Sequence, residues 1–117
     1  MTQSSEFIRG FSEIIIMSIL MKQDSYVYEI VSLISKVSKG RISISNPSAM
    51  VILKKMMAEK IVSTYEGSNK RSVKRKYYKL TDKGKMIYHS KKNDYIENLV
   101  SMKNIIEGRI KLNETRN

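Results

Sequence analysis

Cysteine is absent from this 117-residue chain, and tryptophan is absent as well. Without cysteine the chain can form neither a disulfide nor a thiolate metal site, which suits a reducing cytosol. Long apolar runs are also missing, because the most apolar stretch, Ile14 to Met21, is short and contains Ser18. Such a stretch cannot cross a bilayer, and no small-residue cleavage signature follows it. We therefore expect a cytoplasmic protein.

Acidic residues are scarce, with 11 of them against 22 basic residues and a formal net charge of +11. This excess favours a polyanionic partner, with nucleic acid ahead of an anionic membrane. His89 is the sole histidine, and no carboxylate cluster accompanies it at metal-ligand spacing. The chain also lacks a glycine-rich phosphate loop and a Ser/His/Asp order. We predict no metal, no cofactor and no enzymatic activity.

The stretch from Ser45 to Thr81 combines a helix with a basic hairpin. Asn46-Pro47 is a strong helix start, because Asn caps an orphan backbone N–H and Pro has a helical φ. Residues 61–65 and 76–80 have the β-branched and aromatic content of strands, and a turn-rich loop separates them. Six basic residues and no acidic one lie from Lys70 to Lys79. A helix that leads into a cationic hairpin is the plan of a winged helix-turn-helix.

Three further helices complete the predicted fold. The first runs from Ser4 or Ser5 to Lys22, and the second is capped by Asp24 or Ser25 and ended by Gly40. The last is capped by Thr81 and runs from Asp82 to about Leu112. Residues 41–44 form a short connection or a minimal strand. The inward positions at helical spacing are Phe7, Phe11, Ile14, Ile15 and Ile19; then Tyr26, Ile30, Leu33, Ile34 and Val37; then Met50, Leu53, Met56 and Met57.

The last helix has apolar residues on two flanks, which predicts two neighbours. One flank has heptad spacing and consists of Tyr88, Lys92, Tyr95, Leu99, Met102 and Ile106. The other consists of Ile96, Val100 and Ile105. We predict that the neighbours are the chain's own first helix and a partner subunit; alternatively, the whole stripe folds back on its own domain. The predicted homodimer interface is Phe7, Phe11, Tyr88, Tyr95, Leu99, Met102 and Ile106.

Four blocks of this sequence resemble the PadR-like family of transcriptional regulators. They are Arg9-Gly10, the segment from Tyr26 to Ile30, the segment from Leu53 to Met56, and Arg75 to Thr81 with Gly84 just after it. Within the family, the chain is similar to the short branch that includes the lactococcal multidrug-sensing repressor. The resemblance implies a homodimeric, sequence-specific DNA-binding repressor, and it adds a small aromatic ligand as a candidate partner.

The chain departs from the family pattern at three places. Met50 stands where the family has a tyrosine, and a methionine cannot hydrogen-bond a phosphate or a base edge. Lys60 stands where the family has the glycine that ends this helix, so we expect a strained turn. Tyr95 stands where the multidrug branch has a drug-stacking tryptophan. The resemblance thus makes Tyr95 a candidate ligand slot, and the alternative is that Tyr95 closes that slot.

We predict a mostly helical α+β fold, a winged helix-turn-helix with a long C-terminal dimerisation helix. The DNA-binding domain covers residues 1–81, the dimerisation helix residues 82–112, and a frayed tail residues 113–117.

The predicted function is a homodimeric repressor on double-stranded DNA. The alternative is an architectural or replication-control protein of a mobile element without ligand response. Tyr28 is either a core aromatic or, by resemblance, a contact to the DNA backbone. The predicted DNA-binding residues are Tyr28, Ser45, Asn46, Ser48, Ala49, Lys54, Lys55, Lys70, Arg71, Lys74, Arg75 and Lys76.

Overall fold

Three short helices, a β-hairpin and one long helix follow one another along residues 9–109, which are the residues that the computed structural model describes. This order confirms the predicted fold class, and Phe7, Leu112 and the predicted tail lie outside the described residues. A 3₁₀ turn at Arg9–Phe11 precedes the first helix. The elements are α1 (Ser12–Lys22), α2 (Val27–Val37), α3 (Asn46–Ala58), β1 (Val62–Ser68), β2 (Lys74–Leu80) and α4 (Asp82–Ile106).

The core lies where α1, α2 and α3 meet the base of the hairpin. Its largest fully buried apolar side chains are Ile16, Ile30, Leu53, Met56 and Leu80. Burial of each such side chain contributes about 1.5–3 kcal/mol. The buried side of α1 differs from the predicted one. Ile16, which was not predicted to face inward, is buried, whereas Ile15 and Ile19 are only partly covered.

The helix starts differ from the predicted ones at two places. Ser45, and not Asn46, caps α3, and its Oγ accepts a hydrogen bond from the Ser48 N–H at 3.1 Å. Helix α2 begins after Tyr26, and neither Asp24 nor Ser25 caps it. The predicted cap of α4 is confirmed, because the Thr81 Oγ1 accepts a hydrogen bond from the Gly84 N–H at 3.0 Å. An N-cap of this kind stabilises a helix by about 1 kcal/mol. The predicted end near Leu112 is wrong, because the helix ends at Ile106 and Glu107 is its C-cap.

The predicted burial is wrong for three residues. Val37 is 75% exposed, because α2 buries only Ile30 and Ile34. Residues 41–44 form the predicted short connection and not the alternative minimal strand, since Ser38 Oγ exchanges hydrogen bonds with the backbone of Ile42 and holds this segment in a turn. Met50 and Met57 are exposed, because the inward line of α3 runs through its buried residues instead, namely Ala49, Leu53 and Met56.

The hairpin is longer than its sequence pattern predicts. The strands pair antiparallel from Val62 opposite Leu80 to Ser68 opposite Lys74, so only residues 69–73 form the loop. On the other edge of β2, Ser25 exchanges two backbone hydrogen bonds with Tyr78, at 2.8 and 3.2 Å. This bridge ties the hairpin to the segment between α1 and α2, and it therefore fixes the position of the hairpin relative to these helices.

The long helix α4 begins against the core and then leaves it. Ile87, Tyr88 and Tyr95 pack on the core, whereas the apolar residues from Ile96 to Ile106 are exposed. The described structure is therefore elongated, with extents of 62 × 34 × 21 Å. Within residues 9–109 we find no helix long and apolar enough to cross a membrane.

The turn between α3 and β1 has the strain expected at Lys60. Its φ is +62°, a left-handed conformation that a side chain other than that of glycine adopts at a cost. The turn is held by the backbone of Lys60, whose carbonyl oxygen accepts a hydrogen bond from Thr81 Oγ1 at 2.7 Å. The expectation of strain is therefore confirmed.

Candidate nucleic-acid interface

The hairpin, called the wing from here on (residues 62–80), ends in an ordered tip. The Asn69 side-chain oxygen accepts hydrogen bonds from the backbone N–H groups of Arg71 and Val73, at 2.9 and 3.0 Å. Ser72 has a φ of +61°, and its N–H donates to the Asn69 carbonyl at 2.9 Å. The exposed cations of the wing are Lys70, Arg71, Lys74, Arg75, Lys76 and Lys79. The tip therefore presents a concentrated positive charge on a defined backbone.

Aromatic side chains hold one face of the wing against the start of α2. The rings of Tyr65 and Tyr77, which are opposite each other in the hairpin, stack with centroids 5.5 Å apart. The edge of Tyr26 meets Tyr77 at 5.4 Å, and the Arg75 guanidinium lies 5.1 Å from the centre of the Tyr26 ring. A Cβ on Gly67 would lie only 2.9 Å from the Tyr77 ring, so the cluster requires glycine there.

A hydrogen bond closes this cluster. Tyr65 OH donates to an Asp24 carboxylate oxygen at 2.7 Å. This bond, together with desolvation, raises the pKa of Tyr65 to about 12. Desolvation also raises the pKa of Tyr77, with Glu29 contributing. Both phenols therefore stay protonated at neutral pH, and the wing remains tied to the segment before α2.

Replacing Tyr65 by phenylalanine is expected to lower the free energy of unfolding by about 0.5 kcal/mol, because it removes this hydrogen bond but keeps the ring stack. The value is at the low end of the range because Tyr65 is 44% exposed. Since the folded pKa is raised from 10.0, the contribution is complete below pH 10 and is lost as the pH rises towards 12. Urea unfolding at pH 7.5 and pH 11 tests this, with Tyr28→Phe as the control that leaves stability unchanged. An equal loss at both pH values would contradict the prediction.

The N-terminus of α3 exposes three of its four predicted contact residues. Ser45, Asn46 and Ser48 are exposed, and Ser45 Oγ donates to Ser48 Oγ at 2.9 Å. Ala49 is fully buried, so the prediction that it contacts DNA is wrong. Its methyl group fills the core because it lies one turn before Leu53 on the inward side of the helix.

The two lysines of α3 have different surroundings. Lys54 is exposed, whereas Lys55 donates to a Glu13 carboxylate oxygen at 2.9 Å, and this hydrogen bond raises the pKa of Lys55. The ammonium of Lys55 is thus engaged on the side of α1. The Lys55 side chain nevertheless stays 60% exposed, so Lys54 and Lys55 both remain predicted phosphate ligands.

Tyr28 and Asn46 line one groove between α2 and the start of α3. Tyr28 is 64% exposed, so it is not a core aromatic. Lys36 and Lys39 line the same groove, although neither was among the residues predicted from the sequence. Their positive charge was visible in the sequence, because both lysines lie at the end of α2, just before the segment that leads to α3.

The predicted dimer and ligand residues are divided between covered and exposed positions. Phe11 meets the edge of Tyr95 in the same chain, with ring centroids 5.5 Å apart. Tyr95 also lines a cavity of about 370 Å³ that includes Glu13, Lys55 and Lys91. The exposed residues of the predicted interface are Leu99, Met102 and Ile106.

The helices α2 and α3 form a pair whose second helix exposes its N-terminus and one side, and an ordered cationic hairpin follows. This arrangement defines a winged helix-turn-helix protein, a class that binds DNA. The family model of the PadR-like transcriptional regulators matches residues 16–90, so the chain belongs to that family. This membership confirms the predicted family and the prediction that the chain is a regulator and not an enzyme. The multidrug-sensing branch stays a prediction.

Individual relatives support the family. A protein of Lysinibacillus sphaericus is 30% identical over 81 residues, which are 69% of this chain and 74% of the relative. A PadR-like regulator of Bacillus cereus is 25% identical with a TM-score of 0.76, covering 87% of this chain and 97% of its own. A regulator of Clostridium thermocellum is 28% identical with a TM-score of 0.71, covering 93% and 99%.

Bacillus subtilis PadR, solved in complex with operator DNA, shares the fold. It is 24% identical, with a TM-score of 0.59, and the match covers 68% of this chain and 46% of PadR.

Among residues 9–109 of the present chain we find no group of three or more His, Cys, Asp or Glu side chains that could hold a metal ion.

Proposed function

We propose that the chain is a homodimeric repressor that occupies a specific operator through α3 and the wing. The observation that carries the proposal is that one domain exposes both the N-terminus of α3 and an ordered, cationic wing tip. Exposed helix N–H groups and side chains reach base edges and phosphates in the major groove, and cationic wings bind the flanking backbone. Bacillus subtilis PadR, which shares the fold, was solved in complex with operator DNA, and this supports DNA as the partner.

Dimerisation is proposed on the exposed half of α4. Its apolar residues are 44% to 80% exposed and extend over several turns beyond the core, which is costly unless another surface covers them. A second copy of the chain offers the matching face, since two-fold assembly pairs identical surfaces. We therefore assign DNA binding to residues 1–81 and dimerisation to residues 82–112.

The salt dependence of DNA binding tests the proposal. Two subunits that contact about six to ten phosphates give a log–log slope of roughly −5 to −9. Replacing both Lys74 and Arg75 by alanine should weaken binding to all sequences alike and flatten the slope by about 2 to 4, because four cations leave the dimer. The charge-matched control replaces Lys85 and Lys91, two exposed lysines of α4, and should keep the slope. Binding that does not depend on salt would contradict the proposal.

Sequence preference separates the two functions that the sequence left open. Protection of a few promoter sites by the bound protein favours the repressor, whereas protection spread evenly over any DNA favours an architectural or replication-control protein. Membership of a family of transcriptional regulators supports the former. A repressor of this kind acts where the chromosome is, so we propose a cytoplasmic location.

The ligand slot at Tyr95 stays a prediction, as does similarity to the multidrug-sensing branch. The Tyr95 ring contacts Phe11 of its own chain, and this contact covers only part of Tyr95. The polar side chains around it have both signs of charge, including Glu13, Lys55 and Lys91. This mixed lining favours neither cationic nor anionic aromatic guests.

A further inference from the structure

The outward side of α3 is unusually apolar for a surface that faces a polyanion. Val51 is 69% exposed and Met50 is 55% exposed, although both have large apolar side chains. Lys54 lies on the same side, one turn further along the helix. The opposite side is buried, as described above, so these two side chains point away from the core.

Met50 and Val51 cannot take part in most forms of DNA recognition. Neither side chain has a donor for a phosphate oxygen or for a base edge, apart from the weakly accepting sulfur of Met50. The major groove offers one apolar group, the C5-methyl of thymine, and apolar side chains recognise thymine through it. The chemistry of these residues therefore selects one feature of the groove.

The charges around this side of α3 favour DNA over an apolar protein partner. Lys54 adjoins it on the same helix, and the wing carries its unopposed cations on the same domain. A protein surface that covered Met50 and Val51 would also have to neutralise Lys54, whereas a DNA groove brings phosphates on both rims.

We propose that Met50 and Val51 read the C5-methyl groups of thymines in each half-site and thereby determine operator specificity. This inference rests on the proposed function, because it needs α3 to lie in the major groove. Lys54 then binds the adjacent backbone or a guanine edge, and Ser48 remains the hydrogen-bonding residue of the helix N-terminus. The operator half-site contains thymine at the positions opposite Met50 and Val51.

Thymine-to-deoxyuridine exchange tests the proposal, because it removes only the methyl group. The probe is the duplex that the unmodified protein selects from a random DNA library, with each thymine replaced in turn. We expect about a fourfold loss of affinity at each contacted thymine, the value for one buried methyl-sized group. In Val51→Ala and Met50→Ala, the loss at the position read by the missing side chain should disappear. Val37→Ala is the matched control, since Val37 is an exposed valine at the end of α2, and it should keep every loss.

The other outcomes overturn the proposal in different ways. If the protein selects a defined sequence but no exchange changes its affinity, the inference fails and the proposed function stands. If the losses persist unchanged in both variants, other residues read the methyl groups and the inference fails again. If the protein selects no sequence from the library, the proposed function fails and the inference fails with it.

Discussion

Replacing Gly84 by alanine is expected to lower the free energy of unfolding by about 3 kcal/mol, at the upper end of the usual cost of overpacking. Gly84 lies in the first turn of α4, and a Cβ there would clash with the Ile61 carbonyl oxygen and press on the Leu80 side chain. The Ile61 oxygen cannot move freely, because it accepts hydrogen bonds from Thr81 N–H at 3.0 Å and Thr81 Oγ1 at 3.1 Å. Alanine gains at most about 1 kcal/mol of helix propensity, so the clash decides the sign.

Urea unfolding at a fixed protomer concentration measures the loss, since the proposed dimer would make stability depend on concentration. Gly10→Ala is the matched control, because within residues 9–109 no heavy atom lies within 4 Å of a Cβ built there. A Gly84→Ala protein as stable as the unmodified one would show that α4 can shift against the hairpin at little cost.

Replacing Leu99 by aspartate is expected to split the dimer and to lower operator affinity at least about 100-fold. Leu99 is 47% exposed in the described chain and lies on the heptad flank of α4. In the proposed dimer its carboxylate would be buried without a partner, which costs several kcal/mol. Operator affinity falls as well, because two linked half-site contacts are about 10²–10⁴ times stronger than one.

Sedimentation at tens of micromolar and footprinting together measure this effect. The unmodified protein should sediment as a dimer and protect two half-sites centred roughly 34 Å, or a multiple of it, apart. Ser101→Asp is the control, since Ser101 is exposed on the other side of α4 and the same charge there should leave the dimer intact. An unmodified protein that sediments as a monomer and protects one half-site would contradict the proposal.

The sequence predicted those features that depend on local chemistry. The cap at Thr81 and the order of the elements follow from residue type and spacing, whereas the strained turn at Lys60 was inferred from the resemblance to the family. The cap of α3 was misplaced by one residue, because Ser45 and Asn46 are both good capping residues and only the backbone decides between them. The start of α2 was missed because of a contact that is distant in sequence: Asp24 accepts a hydrogen bond from Tyr65 and does not cap the helix.

The candidate interface was predicted less completely than the fold. From the sequence we predicted that every named residue at the start of α3 can reach DNA, yet Ala49 is buried in the core. Lys55 was predicted as a phosphate ligand, and nothing in the sequence indicated that it also pairs with Glu13, 42 positions earlier in the chain. The contacts that fix the wing, from Tyr26 to Tyr77 and from Asp24 to Tyr65, also join residues far apart in the sequence.

The sequence by itself determined the class of the protein, because charge, turn chemistry and helical spacing act over a few residues and specify a basic hairpin after a helix. Only the tertiary structure decided which side chains of α3 face outward and which of its lysines forms an ion pair. Those outcomes depend on how α2 and the wing pack against α3 and on the Glu13–Lys55 pair, and such contacts join residues that are far apart in the sequence. Met50 and Val51 became candidates for base reading only when the opposite side of their helix proved to be the buried one.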